Sequence, residues 1–355
     1  MFKNKIYQYF FLEFTKIFLL ISLSLAILIW MTQAARFLEL VTEYGNPIEI
    51  YLKYIFLIFP KILDNVFLLS FTIAMFFLFA KLENANELGI YWLSGISKIK
   101  LVKLSLTISC FTIIIYLFLS SIIAPRASFE GRKVLSNSKF SFVNSLVKEN
   151  NFNAPLKNLM IYVSENDQKG NLKNIFIYEK ERTIIAKRGK VLSSQNGSYL
   201  ELNDGATYET NNKNINVISF ESTVFDFSKY SMQNTTYPKY NERSVFWLFK
   251  NLKNKNIKSK EIREEINKRL IQPFYILILC ALSCFLLYSN PEKINLKKLK
   301  ISLYITSIFL IIINQIILGL SGENFQYTIY YIFFIFSFFL FLMFILKKLI
   351  KSETK

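Results

Sequence analysis

The chain of 355 residues is 52% hydrophobic and 17% aromatic, which is too apolar for an ordinary soluble protein. Its formal net charge is +18, with no histidine. Lys and Arg lie mainly at the ends of long apolar blocks, and no basic helix or aromatic RNA-binding motif accompanies them. The composition therefore excludes a nucleic-acid-binding protein and indicates an integral membrane protein.

Three apolar segments long enough to cross a hydrocarbon core of roughly 30 Å come first. Residues 17–35 form predicted span one, and no signal-peptide cleavage site follows them. Span two lies within residues 51–80, with its first turns at the membrane interface. Span three is predicted at residues 104–124 and is expected to end at Pro125.

A polar insert follows, in which short runs rich in Ile, Val, Tyr and Phe alternate with turn residues. The runs are residues 159–163, 175–178, 183–185, 199–202, 215–220 and 224–227. The turns are residues 166–170, 195–197, 203–205 and 211–212. Short strands at this spacing, separated by Asn-Gly and Asp-Gly, predict an antiparallel sandwich or jelly roll. Within the insert, only residues 259–270 show the spacing of a helix.

Three further spans are predicted after the insert, at residues 270–289, 301–320 and 328–346. The fold class is therefore an α-helical membrane protein with six transmembrane helices, three before and three after an all-β insert. The predicted domains are residues 1–124, which include a short helix at about 83–97, the insert at 125–269, and residues 270–355.

The distribution of Lys and Arg predicts the orientation. The segments 1–16, 81–103, 290–300 and 347–355 carry 3, 4, 4 and 4 of them, whereas 36–53 and 322–327 carry 2 and 0. Because cytoplasmic loops carry the excess of basic residues, both termini are predicted to be cytoplasmic and the insert to lie outside the inner membrane.

Sequence motifs for catalysis are absent. The chain has no histidine, no phosphate-binding loop of the Gly-x4-Gly-Lys type, no Gly-x-Gly-x-x-Gly and no Gly-x-Ser-x-Gly. Cys110, Cys280 and Cys284 all fall within predicted spans, so the insert has no disulfide and two thiols complete no metal site. We expect no metal and no cofactor, and any nucleotide chemistry must come from another subunit.

The loop between spans two and three contains a short amphipathic pattern. Glu87 stands near a helix start, Leu88, Tyr91 and Trp92 follow at one-turn spacing, and Gly95 is placed to end the helix. Spacing alone leaves two interpretations open, a helix resting on the membrane and a helix docked in a groove of a soluble partner.

Three stretches resemble one known family. The residues from Glu87 to Ser97, with Glu-Leu at their start and Gly-Ile-Ser at their end, are similar to the coupling loop of the YjgP/YjgQ permeases, which comprise LptF and LptG of the lipopolysaccharide exporter. Residues 30–36 (WMTQAAR) resemble the end of span one in that family, and Glu265, Arg269 and Pro273 match the entry to span four. The match covers the whole chain, and Thr-Gln-Ala-x-Arg favours LptF over LptG.

The resemblance implies a mechanism and partners. Such a chain would pair with an LptG-like paralogue around a cavity lined by spans one, two and five. A dimer of an LptB-like ATPase would contact the coupling helix and drive lipopolysaccharide out of the inner membrane. The lipid would pass over the β insert to LptC-like and LptA-like bridge proteins. Without the resemblance, a membrane scaffold whose outer domain binds assembly partners stays open, and a standalone enzyme is disfavoured by the missing motifs.

Four polar residues in or near the spans are candidates for contact with the lipid. Arg36, with Gln33 one turn before it, lies where span one should meet the outer leaflet, suitably placed for a phosphate, or it extends to the interface as an ordinary terminal arginine. Asn314 and Gln315 lie deep in span five, where amides face a cavity or form hydrogen bonds between helices.

Strand alternation in the insert places one set of side chains on an inward face: Met160, Tyr162, Phe176, Tyr178, Leu200 and Leu202. They would form an open apolar groove for acyl chains or the closed core of a sandwich, and alternation does not distinguish the two. An unpaired edge of such a sheet is expected to accept a strand of a partner.

Overall fold

The computed structural model describes eleven stretches of the chain, which are residues 5–38, 48–138, 153–156, 159–167, 171–179, 182–194, 197–211, 214–226, 238–252, 259–287 and 296–353. They divide into two compact units. One consists of Met1–Met31, Ile58–Phe129 and Pro238–Lys355, and the other of Thr32–Leu57 and Glu130–Tyr237. The first contains most of the apolar helices, and the second contains the β-sheet.

Ten α-helices are formed by the described residues. They are α1 (Lys5–Phe37), α2 (Ile48–Asn84), α3 (Glu87–Leu93), α4 (Lys98–Phe118), α5 (Ala124–Ser138), α6 (Val245–Asn251), α7 (Ser259–Ile266), α8 (Tyr275–Cys284), α9 (Leu296–Ser321) and α10 (Phe325–Glu353). Six helical stretches of this part of the chain are long and apolar enough to cross a membrane. The six predicted spans are confirmed, and α1, α2, α4, α8, α9 and α10 form them in order.

The predicted end of span three at Pro125 is wrong. Helix α4 continues through a π-helical turn, Leu119–Ile123, directly into α5, which reaches Ser138. Pro125 lies inside this continuous helix, directly after the π-helical turn, and both prolines and π-turns occur where the regular hydrogen-bond ladder of a helix is interrupted. The helical geometry therefore extends well past the predicted domain limit.

The return from the insert is also continuous helix. Helix α7 leads through a π-turn, Asn267–Ile271, and a 3-10 turn, Gln272–Phe274, into α8. The predicted helical character of residues 259–270 is thus confirmed. The predicted domain limit at residue 269 lies inside this stretch, so span four begins as an extension of α7.

Helix α8 lies at the centre of the helical core. The apolar window of Ser259–Leu287 is 72% buried, whereas that of Lys298–Ser321 is only 17% buried. Tyr275, at the start of α8, is fully buried and donates a hydrogen bond from its hydroxyl to the Leu310 carbonyl of α9, over 2.8 Å. Because a soluble protein rarely exposes so much apolar surface, the outer face of α9 requires lipid or a second membrane chain against it.

The insert forms one six-stranded antiparallel sheet with its strands in sequence order. The strands are β1 (Asn153–Leu156), β2 (Leu159–Asn166), β3 (Asn171–Glu179), β4 (Arg182–Ser194), β5 (Gly197–Asn211) and β6 (Asn214–Asp226). The predicted all-β insert is confirmed, and the runs at 215–220 and 224–226 join in β6, with residue 227 outside the described residues. The described strands follow one another up and down, so the jelly-roll order stays a prediction.

A bend crosses the sheet where a turn was predicted. Residues 203–205 do not form that turn but lie inside β5, and Asp204 has a φ of 56°. Asn174 of β3 has a φ of 49°, and the register places both residues opposite Lys187 of β4. The bend therefore follows one line across three neighbouring strands, and β3 and β5 each have a left-handed residue on that line. The turns at 168–170, 195–196 and 212 lie outside the described residues.

The bend changes which side chains face the buried side. In β3 both Leu172 and Ile175 are buried although they are three residues apart, because Asn174 interrupts the alternation. Across the same line Arg188 forms an ion pair with Asp204 over 2.7 Å, and this hydrogen bond lowers the pKa of the Asp204 carboxyl. Simple alternation from one end of a strand therefore misassigns the other end.

Candidate functional site

Residues 83–97, which resemble the family's coupling loop and are called the coupling loop below, are built around the seven residues of α3. Asn86 precedes it in the left-handed conformation with a φ of 55°. At its end the Ile96 amide donates to the Tyr91 carbonyl and the Gly95 amide to the Trp92 carbonyl, each over 3.0 Å, with Gly95 at a φ of 77°. This is the paired arrangement by which glycine ends helices, so the predicted helix stop at Gly95 is confirmed.

One face of α3 packs on the helical core of the spans. Tyr91 is 2% exposed, and its ring meets Phe10 of α1 edge-on at 6.4 Å between centroids. Leu88 and Trp92 are partly buried against the same core. Burial, with a smaller contribution from the charge of Glu87, raises the pKa of Tyr91 well above its usual range, so the hydroxyl stays protonated.

The opposite face of α3 presents two large apolar side chains. Ile90 is 61% exposed and Leu93 is 91% exposed. Leu88 and Trp92, which the one-turn spacing groups with Tyr91, therefore lie on the side that faces the spans. Sequence reasoning missed Ile90 and Leu93, although their separation of three residues places them on one helix face.

Polar contacts connect the coupling loop to spans one and five. The Tyr9 hydroxyl of α1 donates to both carboxylate oxygens of Glu87, over 3.2 and 3.4 Å. Glu13 of α1 forms an ion pair with Lys81, at the end of α2.

A third contact reaches span five. The Lys300 ammonium of α9 pairs with Glu83 over 2.8 Å. The loop is thus held at its start by two other spans, and a push on α3 would be carried to them.

The candidate lipid contacts near the end of span one lie within the last turns of α1. Arg36 is exposed, whereas Gln33 is half-buried and its side-chain carbonyl has no hydrogen-bond partner among the described residues. The Tyr51 hydroxyl of α2 donates to the Ala34 carbonyl over 3.0 Å and fixes this turn. Arg36 is therefore available to an anionic group outside the protein.

The two amides of span five have different surroundings. Asn314 is fully buried and accepts a hydrogen bond from the Tyr331 hydroxyl of α10 over 2.7 Å, which matches the alternative of a bond between helices. Gln315 is exposed on the outer surface of α9. The structure therefore separates these neighbours, with one inside the helix pair and one facing outward.

The structure also divides the six predicted groove residues between the two faces of the sheet. Leu200 and Leu202 belong to a buried cluster with Ile161, Val163, Ile175 and Ile177. Met160 and Tyr178 are 37% and 45% exposed and pair across β2 and β3 on the opposite face. Tyr162 and Phe176 pair on that face too, so the prediction of one shared inward face is wrong for these four.

The outer face of the sheet carries a groove of about 750 Å³. Its lining includes the aromatic rings of Tyr162, Phe176 and Tyr208, together with Ile185 and Ala206. A groove of this size lies in the range that binds small ligands or segments of chain. It is centred on the bend line, where Gly205 leaves no room for a side chain because an added Cβ would lie 2.4 Å from the Ile185 carbonyl oxygen.

Two comparisons with known proteins agree with this architecture. A family model described as the lipopolysaccharide export system permease LptF/LptG matches residues 8–348. An uncharacterized protein from Rickettsia prowazekii (strain Madrid E) is 22% identical over 324 residues, which cover 86% of this chain and 90% of that protein. Both matches include the helices before and after the sheet, so they concern the whole architecture and not the insert alone.

Proposed function

This chain belongs to the LptF/LptG family of lipopolysaccharide export permeases, and we propose that it couples ATP hydrolysis in a separate ATPase to extraction of lipopolysaccharide from the inner membrane. As a family member it is an integral inner-membrane component of an export complex with partner proteins. The proposed partners are an LptG-like paralogue, an LptB-like ATPase dimer, and LptC-like and LptA-like bridge proteins that receive the lipid from the β insert. Residues 32–36 favour the LptF branch over LptG.

The observation that carries the proposal is the geometry of the coupling loop. An apolar pair, Ile90 and Leu93, faces outward on a helix whose Glu87 accepts hydrogen bonds from Tyr9 of span one. The end of α2, just before this helix, forms ion pairs with Glu13 of span one and Lys300 of span five. Apolar anchors of an amphipathic helix are what a groove on a soluble partner binds.

The bonds from Tyr9 to Glu87 bear on how the partner would engage this loop. At 3.2 and 3.4 Å they are long for a hydroxyl donor. An arginine or lysine of the ATPase would pair its own charge with the carboxylate over a shorter distance, so it would displace Tyr9. Docking would then change the contact between the coupling loop and span one.

We expect Glu87→Ala to lower the lipid released per ATP hydrolysed while the protein still assembles. Loss of a carboxylate near a helix start costs only about 0.3 to 1 kcal/mol, which is too little to unfold six spans. The measurement is ATP-driven release of lipopolysaccharide to an acceptor from the complex reconstituted in liposomes. Tyr9→Phe is the matched control, since it removes the internal bond and keeps Glu87 for the partner.

If Glu87→Ala releases as much lipid per ATP hydrolysed as the wild type does, Glu87 has no role in coupling. If the purified wild-type chain recruits no ATPase at all, the scaffold alternative gains support, in which the outer domain binds assembly partners without transport.

The proposed orientation places both termini in the cytoplasm and the β insert in the periplasm. We expect a cysteine introduced at position 204 to react with a membrane-impermeant thiol reagent once only the outer membrane is opened. A cysteine at position 98 should react only after the inner membrane is permeabilised. The reverse pattern would contradict the orientation and, with it, the cytoplasmic position of the coupling loop.

A further inference from the structure

Helix α6 exposes two phenylalanines next to the membrane boundary of span four. Phe246 is 81% exposed and Phe249 is 53% exposed. Three residues apart, they lie on one face of the helix. Leu248, on another side of the helix, is fully buried in a cluster with Ile262 and Ile266 of α7. The helix is therefore fixed to α7 by one side and presents an aromatic side outward.

The depth of α6 relative to the membrane can be estimated from the point at which the uncharged run of span four begins. Residues 270–287 carry no charge and are preceded by Lys268 and Arg269, so the hydrocarbon boundary lies near Arg269. At a rise of 1.5 Å per residue, Ile266 and Ile262 lie about 5 and 10 Å beyond that boundary. Because α6 packs on these two residues, it lies at the height of the lipid headgroups.

A second contact places the start of α6 at the same level. The Arg269 guanidinium donates to the Arg243 carbonyl over 2.6 Å, and Arg243 precedes α6 by two residues. The Arg243 guanidinium stacks over the Trp247 ring at 4.4 Å from its centroid. Two independent contacts, one apolar and one polar, thus hold α6 at the boundary.

The composition of α6 suits a lipid surface. Trp is enriched where a membrane meets water, and Phe is common on the apolar face of helices that lie in this interface. Lys250, exposed beside the phenylalanines, can pair with lipid phosphates. We infer that α6 is an interfacial anchor that inserts Phe246 and Phe249 into the leaflet on the insert side of the membrane. Its partner is the phospholipid surface itself, and the anchor does not depend on lipopolysaccharide export.

The test uses nitroxide labels on the full chain in nanodiscs of phosphatidylethanolamine and phosphatidylglycerol. Cys110, Cys280 and Cys284 are first replaced by alanine, and single cysteines are then introduced as Phe246→Cys, Phe249→Cys and, as the control, Lys239→Cys. We expect oxygen to relax the labels at positions 246 and 249 more than a water-soluble nickel chelate does, and the opposite order at position 239, which is exposed and polar.

Equal access of the nickel chelate at positions 246, 249 and 239 would overturn the proposal, because it would place α6 in water. Labels at 246 and 249 that neither reagent reaches would also overturn it, since the occupant of this face would then be another protein. A second variant, Phe246→Ser with Phe249→Ser, leaves Leu248 and the α7 contact in place. We expect the depth of a label at position 250 to shift toward water in that background, whereas an unchanged depth would contradict the anchoring role.

Discussion

Replacing Leu93 with aspartate is expected to lower the affinity of the chain for the proposed ATPase partner by at least about 30-fold, corresponding to about 2 kcal/mol. Leu93 is 91% exposed on α3, so the substitution removes no contact inside the protein. In a groove of the partner, however, a buried leucine side chain contributes about 1.5 to 3 kcal/mol, and an unpaired carboxylate there adds a desolvation cost. The measurement is the dissociation constant of the detergent-solubilised complex.

Ala85→Asp is the matched control for this effect. It adds the same charge to the same loop at an exposed residue that precedes α3, and it should change the affinity less than threefold. Equal losses in the two variants would indicate long-range charge repulsion and not docking of the outward face. Unchanged affinity in Leu93→Asp would assign the contact to another part of the chain.

Replacing Arg269 with alanine is expected to destabilise the helical unit by about 3 to 5 kcal/mol. The Arg269 side chain is 1% exposed and bonds to Glu265 over 2.8 Å. It also donates to the Arg243 carbonyl over 2.6 Å and is 3.4 Å from the Tyr240 carbonyl. Its removal leaves a half-buried carboxylate without its cation and two backbone acceptors without their donor, and each of these losses costs free energy.

Lys260→Ala provides the comparison, because Lys260 belongs to the same helical stretch and pairs with Glu323 while 55% exposed. An exposed pair is worth about 0 to 1 kcal/mol, so this variant should unfold almost as the wild type does. The measurement is the unfolding midpoint in mild detergent, together with hydrogen exchange of the α6 and α7 amides. A wild-type midpoint and wild-type exchange in Arg269→Ala would show that Glu265 and the carbonyls find other partners.

Arg269 shows how a short motif and its structural role are related. The spacing of Glu265, Arg269 and Pro273 resembles a motif of the family. The one-turn separation of Glu265 and Arg269 on a helix is enough to predict the ion pair between them. The bonds to Tyr240 and Arg243 cross from a different segment of the chain. Sequence spacing carries no information on such contacts, since it describes only the helix to which the residues belong.

The six spans, the all-β insert and the helix stop at Gly95 could be predicted from the sequence, because each depends on local properties. These are the length of an apolar run, the alternation of strands with turn residues, and the ability of glycine to adopt a positive φ. The continuation of the helix past Pro125 was not predicted, because proline commonly ends a helix and composition does not reveal the π-helical turn that precedes this one.

Which face of each element is buried could not be predicted from the sequence, because it depends on the neighbouring elements of the fold. Helix α3 has apolar residues on both sides, so the choice of Tyr91 as the inner residue and Leu93 as the outer one came from the ring of Phe10 against which Tyr91 packs. In the sheet, left-handed residues at Asn174 and Asp204 reset the alternation, and Met160 and Leu200 therefore lie on opposite faces. Periodicity gives the spacing of side chains along an element, whereas their direction depends on what lies beside it.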